Sequence, residues 1–146
     1  MNILFFLIPK TEVKYVFEDF TLRQVMERWD QDRFAAIPML NRQGIYLGTI
    51  SEGDLLRAFK HDHELNLQKA EKVRIFDIPR DRTIQAVPAD SRMEDLVDLS
   101  LQQNFVPVVD DKGVFIGIIT RKSIIEFLYK RVNKLSEELA AVQEQP

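Results

Sequence analysis

The sequence has 146 residues, 45% of them hydrophobic and 29% charged, which suits one globular domain or two small halves that share a core. A net charge of −3 argues against non-specific nucleic-acid binding, which needs a basic face to neutralise phosphates. The absence of cysteine excludes a disulfide framework, a thiolate nucleophile and a cysteine-ligated zinc, and it fits a reducing compartment.

The first apolar run, NILFFLIP, occupies residues 2–9. It has neither the basic flank nor the small-residue cleavage site of a signal peptide, and it is far shorter than the roughly 20 residues of a membrane span. We therefore expect a buried segment in a cytoplasmic protein, with no membrane partner.

The first half predicts the order strand, helix, strand, strand, helix. Alternating apolar side chains predict a short strand in residues 12–19. Thr21 is followed three residues later by Gln24, a capping-box spacing that predicts a helix starting there. Residues 35–50 predict a hairpin around a polar turn, and a second helix follows from Ser51.

The second half predicts the same order after a charged segment, 60–82, that we expect to be partly helical and packed on the domain. Residues 83–87 predict a strand. Ser91 and Glu94 have capping-box spacing and predict the start of a helix. Residues 106–119 predict a hairpin, and the last helix follows it directly.

The two halves are an internal repeat. The heptapeptide GTISEGD, 48–54, is matched 69 positions later (117 − 48) by GIITRKS, 117–123. The preceding segments match as well, FAAIPMLNRQGIYLG in 34–48 against NFVPVVDDKGVFIG in 104–117. A half of about 70 residues buries too little surface to be stable alone, so the repeats should pack together.

On these paired patterns the chain resembles a tandem pair of CBS domains, the Bateman module, over roughly residues 8–132. The resemblance implies an α/β (α+β) fold of two βαββα CBS repeats with pseudo-twofold symmetry, plus an extended C-terminal helix. We expect the first repeat in 1–62, a connector in 63–79, the second repeat in 80–132 and a helical tail in 133–146. The resemblance also implies two clefts between the halves, of a kind that commonly binds adenosine nucleotides.

The repeated heptapeptide also has a physical interpretation. A glycine and hydroxyl turn that opens a helix presents free backbone N–H groups and the positive end of the helix dipole, which suits phosphate. The carboxylate of Asp54 can accept hydrogen bonds from a ribose diol. The alternative is that Ser51 and Asp54 only cap a helix. The repetition within a matching repeat favours the functional interpretation.

Ser123 replaces Asp54 in the second copy, so we expect two non-equivalent clefts. The resemblance implies that one cleft suits an adenosine ribose, and its residues are Ser51, Asp54, Thr83, Gln85 and Asn104. It implies that the other cleft suits phosphate-rich ligands, and its residues are Lys14, Phe34, Ala35, Thr120, Arg121, Lys122 and Ser123. The alternative is that Arg121 and Lys122 are solvated surface charges.

Catalytic signals are weak. The pair His61 and His63 could bind a metal, but in a charged connector two solvated imidazoles are the expectation. Asp110 and Asp111 fall in a turn, where aspartate is favoured for its geometry. The sequence has no Walker A, nucleophile-elbow or H-E-x-x-H motif. We expect no catalysis, no metal and no cofactor beyond an adenine nucleotide as regulatory ligand.

The sequence therefore predicts a regulatory adenine-nucleotide sensor of the AMP or ATP type, acting on an unknown regulated protein. One alternative is a receptor for a cyclic di-adenosine messenger. The other is a structural dimerisation or interaction module with degenerate clefts.

The last predicted helix outruns the repeat, because residues 123–143 contain no proline or glycine. Its apolar residues are spaced by 4, 3, 4 and 3, the a/d rhythm of a coiled coil, and they are Leu128, Val132, Leu135, Leu139 and Val142. The alternative is that this stripe packs on the core of its own chain. We predict a homodimer to which the tail contributes.

Overall fold

A computed structural model of the chain describes residues 1–31, 35–62, 64–80 and 84–144. Within them the strands are β1 (Ile8–Pro9), β2 (Val16–Phe17), β3 (Ala36–Leu40), β4 (Tyr46–Ser51), β5 (Val87–Pro88), β6 (Phe105–Val109) and β7 (Phe115–Thr120). The α-helices are α1 (Leu22–Gln31), α2 (Glu52–His61), α3 (Leu67–Ala70), α4 (Val97–Ser100) and α5 (Arg121–Gln143). Phe34, His63 and Thr83 lie outside the described residues.

The strands form two sheets, one in each half. The first sheet has the order β2-β3-β4 and the second the order β1-β7-β6-β5. Each contains an antiparallel hairpin and one short parallel strand beside it. The N-terminal strand β1 belongs to the second sheet, where Ile8 lies opposite Ile118. The N-terminal segment therefore ties the two halves together.

The hairpin turns of the two sheets contact each other. The backbone N–H of Tyr46 donates to the carbonyl of Gly113 at 3.1 Å, and the N–H of Phe115 donates to the carbonyl of Gly44 at 2.9 Å. Both turn glycines have positive φ, 86° and 82°, which other residues rarely adopt. These reciprocal bonds join equivalent residues, so the pseudo-twofold axis passes between the turns.

Each half has its own apolar core between its sheet and its helices. The buried residues of the first core are Val16, Leu22, Val25, Ile37, Met39, Ile50, Ala70, Ile75 and Ile78. Those of the second core are Ile3, Met93, Leu96, Val106, Val108, Ile119 and Ile124. The connector contributes Ala70, Ile75 and Ile78 to the first core, so its predicted packing on the domain is confirmed.

The predicted fold class is confirmed, and most predicted elements match. The first helix begins where its capping box predicted: Gln24 N–H donates to Thr21 Oγ1 at 3.2 Å, and Thr21 N–H donates to Gln24 Oε1 at 2.8 Å. The last helix continues to Gln143 as predicted. No described helix is long and apolar enough to cross a membrane.

Three predicted elements are shorter than expected or of another type. Only Val16–Phe17 of the segment 12–19 forms a strand. The described part of 83–87 is extended only at its end, because the backbone of Gln85 bonds to a side chain instead of to a neighbouring strand. The helix expected at Ser91 is a 3-10 turn from Met93 followed by α4.

Candidate functional site

The turn between β4 and α2 is held by reciprocal hydrogen bonds. The N–H of Asp54 donates to Ser51 Oγ at 3.1 Å, and the N–H of Ser51 donates to Asp54 Oδ2 at 2.8 Å. Arg57 Nη2 donates to the other carboxylate oxygen, Oδ1, at 2.7 Å. Asp54 is only 2% exposed, so this charge is buried and paired. Ser51 and Asp54 therefore cap α2, and their role in binding a ligand stays a prediction.

The start of α2 offers fewer free N–H groups than the sequence led us to expect. The N–H of Glu52 donates to the carbonyl of Ala35 at 3.1 Å, and that of Asp54 is taken by Ser51. The expectation of free donors is wrong for these two groups. A carboxylate has about four lone-pair sites, and Asp54 also lines the cavity described next.

A cavity of about 310 Å³ lies beside this turn, between the two repeats. From the first repeat it is lined by Ala35, Ala36, Thr49, Ser51, Asp54 and Arg57. From the second repeat it is lined by Ile84, Gln102, Gln103, Asn104 and Phe105. The structure thus brings together three of the residues expected in the ribose-binding cleft: Ser51, Asp54 and Asn104.

Gln85, expected in the same cleft, is fixed through its backbone. Its N–H donates to Gln103 Oε1 at 2.9 Å, and its carbonyl accepts from Gln103 Nε2 at 3.1 Å. Gln103 Nε2 also donates to the carbonyl of Phe105, and the residue is only 5% exposed. Gln103 therefore holds residue 85 against β6, and the side chain of Gln85 is exposed.

A second cavity, of about 470 Å³, adjoins the first and shares Thr49 and Ile84 with it. The phenol of Tyr46 is 2.7 Å from Thr49 Oγ1 and donates to the carbonyl of Ile84 at 3.1 Å. Burial raises the pKa of Tyr46 to about 12, against the lowering effects of Thr49 and the nearby guanidinium of Arg80. The phenol is therefore a neutral group in the wall between the cavities.

Arg80 provides the cation of the second cavity. Its Nη1 is buried and has no hydrogen-bond partner in the described part of the chain. The guanidinium carbon is 5.8 Å from the ring centre of Phe76, and Nε is 3.3 Å from the position a Cβ would take on Gly48. A buried donor without a partner is unfavourable, so this guanidinium is suited to an incoming anion.

The residues expected in the other cleft do not share one cavity. Lys14 and Ala35 line a cavity of about 300 Å³ together with Asn104 and Phe105. None of its described lining residues comes from the turn at 120–123. Ser123 instead lines a groove beside α5 with Met1 and Phe6.

The turn from β7 into α5 is built like the first turn but without a carboxylate. Thr120 Oγ1 accepts from the N–H of Ser123 at 3.1 Å and donates to Ser123 Oγ at 3.0 Å. Arg121 Nε donates to the carbonyls of Ser100 and Gln103, at 2.7 and 3.2 Å, so it ties α5 to α4. Lys122 is exposed. A role of Arg121 and Lys122 in phosphate binding stays a prediction.

The sequence analysis missed Arg57, Arg80 and Gln103. Arg57 lies one turn after Asp54 on α2, so its ion pair could have been inferred from helix spacing. Arg80 follows Ile78-Pro79, a dipeptide that also occurs as Ile8-Pro9. Gln103 gave no signal in the sequence. No group of three or more metal-ligand side chains occurs in the described residues.

Comparison with known families and structures agrees with this architecture. The model of the CBS domain family matches residues 7–61 and 75–130. The uncharacterized protein MJ1426 of Methanocaldococcus jannaschii is 30% identical in an alignment that covers 77% of this chain and 84% of that protein.

Two crystal structures have a similar fold. CbpB in complex with c-di-AMP has a TM-score of 0.80 and 23% identity, covering 94% of this chain and 91% of that chain. CBSX2 in complex with AMP has a TM-score of 0.71 and 21% identity, covering 88% of this chain and 96% of that chain. With two matched domains over most of its length, this chain belongs to the CBS domain family.

Proposed function

We propose that this protein is a regulatory sensor that binds an adenine nucleotide in the cleft beside Ser51 and Asp54. The main support is the buried Nη1 of Arg80, which has no hydrogen-bond partner among the described residues and lies at a cavity adjoining the one that both repeats line. A nucleotide phosphate would offer that buried donor a charged acceptor, whereas a neutral nucleoside offers only uncharged ones. The ligand is therefore proposed to be a nucleotide of the AMP or ATP type.

Each part of the nucleotide has a suitable surface. The carboxylate of Asp54, already oriented by the cap and by Arg57, is proposed to accept from the ribose hydroxyls. The apolar walls at Ile84 and Phe105 would contact the base. Because the cavity walls come from both repeats, a ligand that touches both would change how firmly they are held together. This coupling would transmit the signal to the unknown regulated protein.

A cyclic di-adenosine messenger is the second candidate. The cavities of about 310 and 470 Å³ meet at Thr49 and Ile84, so their combined space exceeds what one mononucleotide needs. The similar fold of CbpB, whose structure contains c-di-AMP, also supports this candidate. A structural interaction module remains the alternative if no nucleotide binds.

The proposal also covers catalysis, nucleic-acid binding, location and assembly. We propose that the protein has no catalytic activity and binds no nucleic acid, and that it acts in the cytoplasm as a homodimer. The domain boundaries at 62, 79 and 132 stay a prediction, as does a phosphate site at Lys14, Thr120 and Ser123.

Calorimetric titration of Arg80→Met with AMP and with adenosine tests the proposal. Losing a charge-assisted hydrogen bond is worth about 1.5–3 kcal/mol, so AMP affinity should fall roughly 10- to 150-fold while adenosine affinity changes little. Lys122→Met removes the cation of the other predicted phosphate site and, on this proposal, should leave both affinities unchanged. A parallel titration with c-di-AMP separates the two candidate ligands.

Three outcomes would contradict the proposal. Failure of the wild-type protein to bind AMP, ATP or c-di-AMP would leave the structural interaction module as the function. Equal losses of AMP and adenosine in Arg80→Met would show that Arg80 supports the cleft without contacting phosphate. Loss of AMP binding only in Lys122→Met would place the phosphate in the second repeat.

A further inference from the structure

The outer part of α5 is an uncovered amphipathic surface. Every residue from Tyr129 to Glu144 is exposed. Its apolar residues nevertheless keep heptad spacing, and four of them are more than half exposed: Val132, Leu135, Leu139 and Val142. Of the predicted stripe, only Leu128 packs partly on the core of its own chain. The alternative of an intramolecular packing face is therefore wrong for the rest of the stripe.

The charges on α5 are arranged against its own dipole. Residues 121–134 contain five lysines or arginines and one glutamate, whereas residues 135–144 contain three glutamates and no basic residue. A helix is stabilised by acidic side chains near its N-terminus and basic ones near its C-terminus. The charges on α5 have the opposite arrangement. This arrangement weakens an isolated helix, but it is complementary to a second copy that runs in the opposite direction.

The apolar stripe pairs well in that direction. An antiparallel pair centred between residues 133 and 134 places Val132 opposite the partner's Leu135. It also places Leu128 opposite the partner's Leu139, and Ile125, which is 55% exposed, opposite the partner's Val142. Each layer occurs twice by symmetry, so six apolar layers form one continuous seam.

The same register brings opposite charges together at the edge of the seam. Arg131 and Glu138 are seven residues apart and flank the stripe on the same side. In the antiparallel pair Arg131 lies beside the partner's Glu138, and this ion pair also occurs twice. A parallel pair would instead place Arg131 near the partner's Ser136, with no charge partner, and would set the basic halves side by side.

We propose that α5 forms an antiparallel two-helix interface with α5 of a second copy of this chain, along the stripe from Ile125 to Val142. The seam spans about two and a half heptads, less than the three or four that sustain a coiled coil alone. The dimer is therefore concentration-dependent. Arg131 already bonds Glu94 of its own chain at 2.8 Å, so the guanidinium bridges Glu94 and the partner's Glu138.

Charge reversal tests both the interface and its direction. Arg131→Glu alone places two glutamates together in the antiparallel pair, and Glu138→Arg alone places two arginines together. Sedimentation equilibrium on the full chain should show each variant dimerising at least about ten-fold more weakly than the wild type. An equimolar mixture of the two variants should recover dimerisation as a heterodimer, because every charge then faces its opposite.

Two further variants make the result decisive. Leu139→Ser changes an exposed side chain, so it should abolish the dimer without lowering the melting temperature of the monomer. Glu94→Gln removes the internal partner of Arg131 and should leave the dimer intact. A mixture no stronger than either charge variant would overturn the antiparallel register. Unchanged dimerisation in Leu139→Ser would show that the surface does not pair with itself.

Discussion

The two repeats differ most at the edge of their sheets. In the second repeat β1 lies against β7, so closely that a Cβ on Gly117 would be 2.2 Å from the carbonyl oxygen of Ile8. In the first repeat a Cβ at the equivalent Gly48 would first meet the side chain of Arg80, at 3.3 Å. Among the described residues no strand pairs with that edge of β4.

This difference shows how one repeated sequence serves two purposes. The second repeat uses its sheet edge to bind the N-terminal segment, and its cap at Thr120 and Ser123 has no charge. In the first repeat no described strand lies on that edge, which borders a cavity, and the cap carries the buried carboxylate of Asp54. We infer that one half is specialised for stability and the other for a ligand.

The largest effect is expected from alanine at the two equivalent glycines. Both have similar backbone angles, φ 154° at Gly48 and 156° at Gly117, so strain from the added Cβ should be similar. Gly117→Ala also displaces β1 and should lower the free energy of unfolding by about 3 kcal/mol or more. Gly48→Ala moves only the flexible side chain of Arg80 and should cost about 1–2 kcal/mol. Urea unfolding measures both, and equal losses would contradict the difference between the edges.

Alanine at the third residue of each helix compares the two caps. Asp54→Ala removes the carboxylate that bonds Ser51 and Arg57, so stability should fall by about 2 kcal/mol. Ser123→Ala leaves Thr120 Oγ1 as a cap and should cost less than about 0.5 kcal/mol.

If Asp54 also holds the ribose, calorimetry should show AMP binding about 1.5–3 kcal/mol weaker in Asp54→Ala. Unchanged affinity with lower stability would make Asp54 a cap alone.

The sequence predicted those elements that depend on a short residue spacing or on the internal repeat. The capping box at Thr21 and Gln24 and the match between 48–54 and 117–123 depend on short spacings, and the structure follows them. Of the first expected cleft, Ser51, Asp54 and Asn104 do line one cavity, and their role in binding a ligand stays a prediction.

The parts that failed depend on contacts between distant residues. Gln85 lost its predicted strand because Gln103 bonds its backbone, and no spacing rule connects those two positions. Glu94 was expected to cap a helix but instead pairs with the ammonium of Met1 and with Arg131. The role of Arg80 depends on which sheet edge β1 covers, and composition and periodicity do not specify that choice.

Tyr46 allows a smaller difference between the halves to be tested, because the equivalent residue of the second repeat is Phe115, 69 positions later (115 − 46). Tyr46→Phe removes the bonds to Thr49 and Ile84 and should lower stability by about 1 kcal/mol at pH 7. Tyr129→Phe, on the exposed part of α5, is the control and should have no effect.

The pH dependence of Tyr46→Phe gives an independent test. The pKa of Tyr46 is raised from 10.0 to about 12 on folding, so between those values the unfolded state has lost a proton that the folded state keeps. The stabilisation by the phenol is therefore complete below pH 10 and disappears as the pH rises toward 12. The wild type should therefore lose stability relative to the variant over that interval. A constant difference would show that the phenol is not buried in the folded protein.

The smallest effect is expected at Arg42, whose equivalent in the second repeat is Asp111 (111 − 42 = 69). Arg42 donates to both carboxylate oxygens of Asp19 at 2.9 Å, and its guanidinium carbon is 4.1 Å from the ring centre of Phe17. Because both charges are solvent-exposed, Arg42→Ala should destabilise the protein only slightly, and less at high salt.

The hydrogen bond from Arg42 lowers the pKa of Asp19 below 3.8, so the stabilisation is complete above that pH and is lost as the pH falls below it. Urea unfolding at pH 7 and at pH 3 should therefore show the variant approaching the wild type in acid, with Lys112→Ala as the control on the corresponding turn. A difference that survives acid would mean that packing of Arg42 on Phe17, and not its charge, distinguishes the two turns.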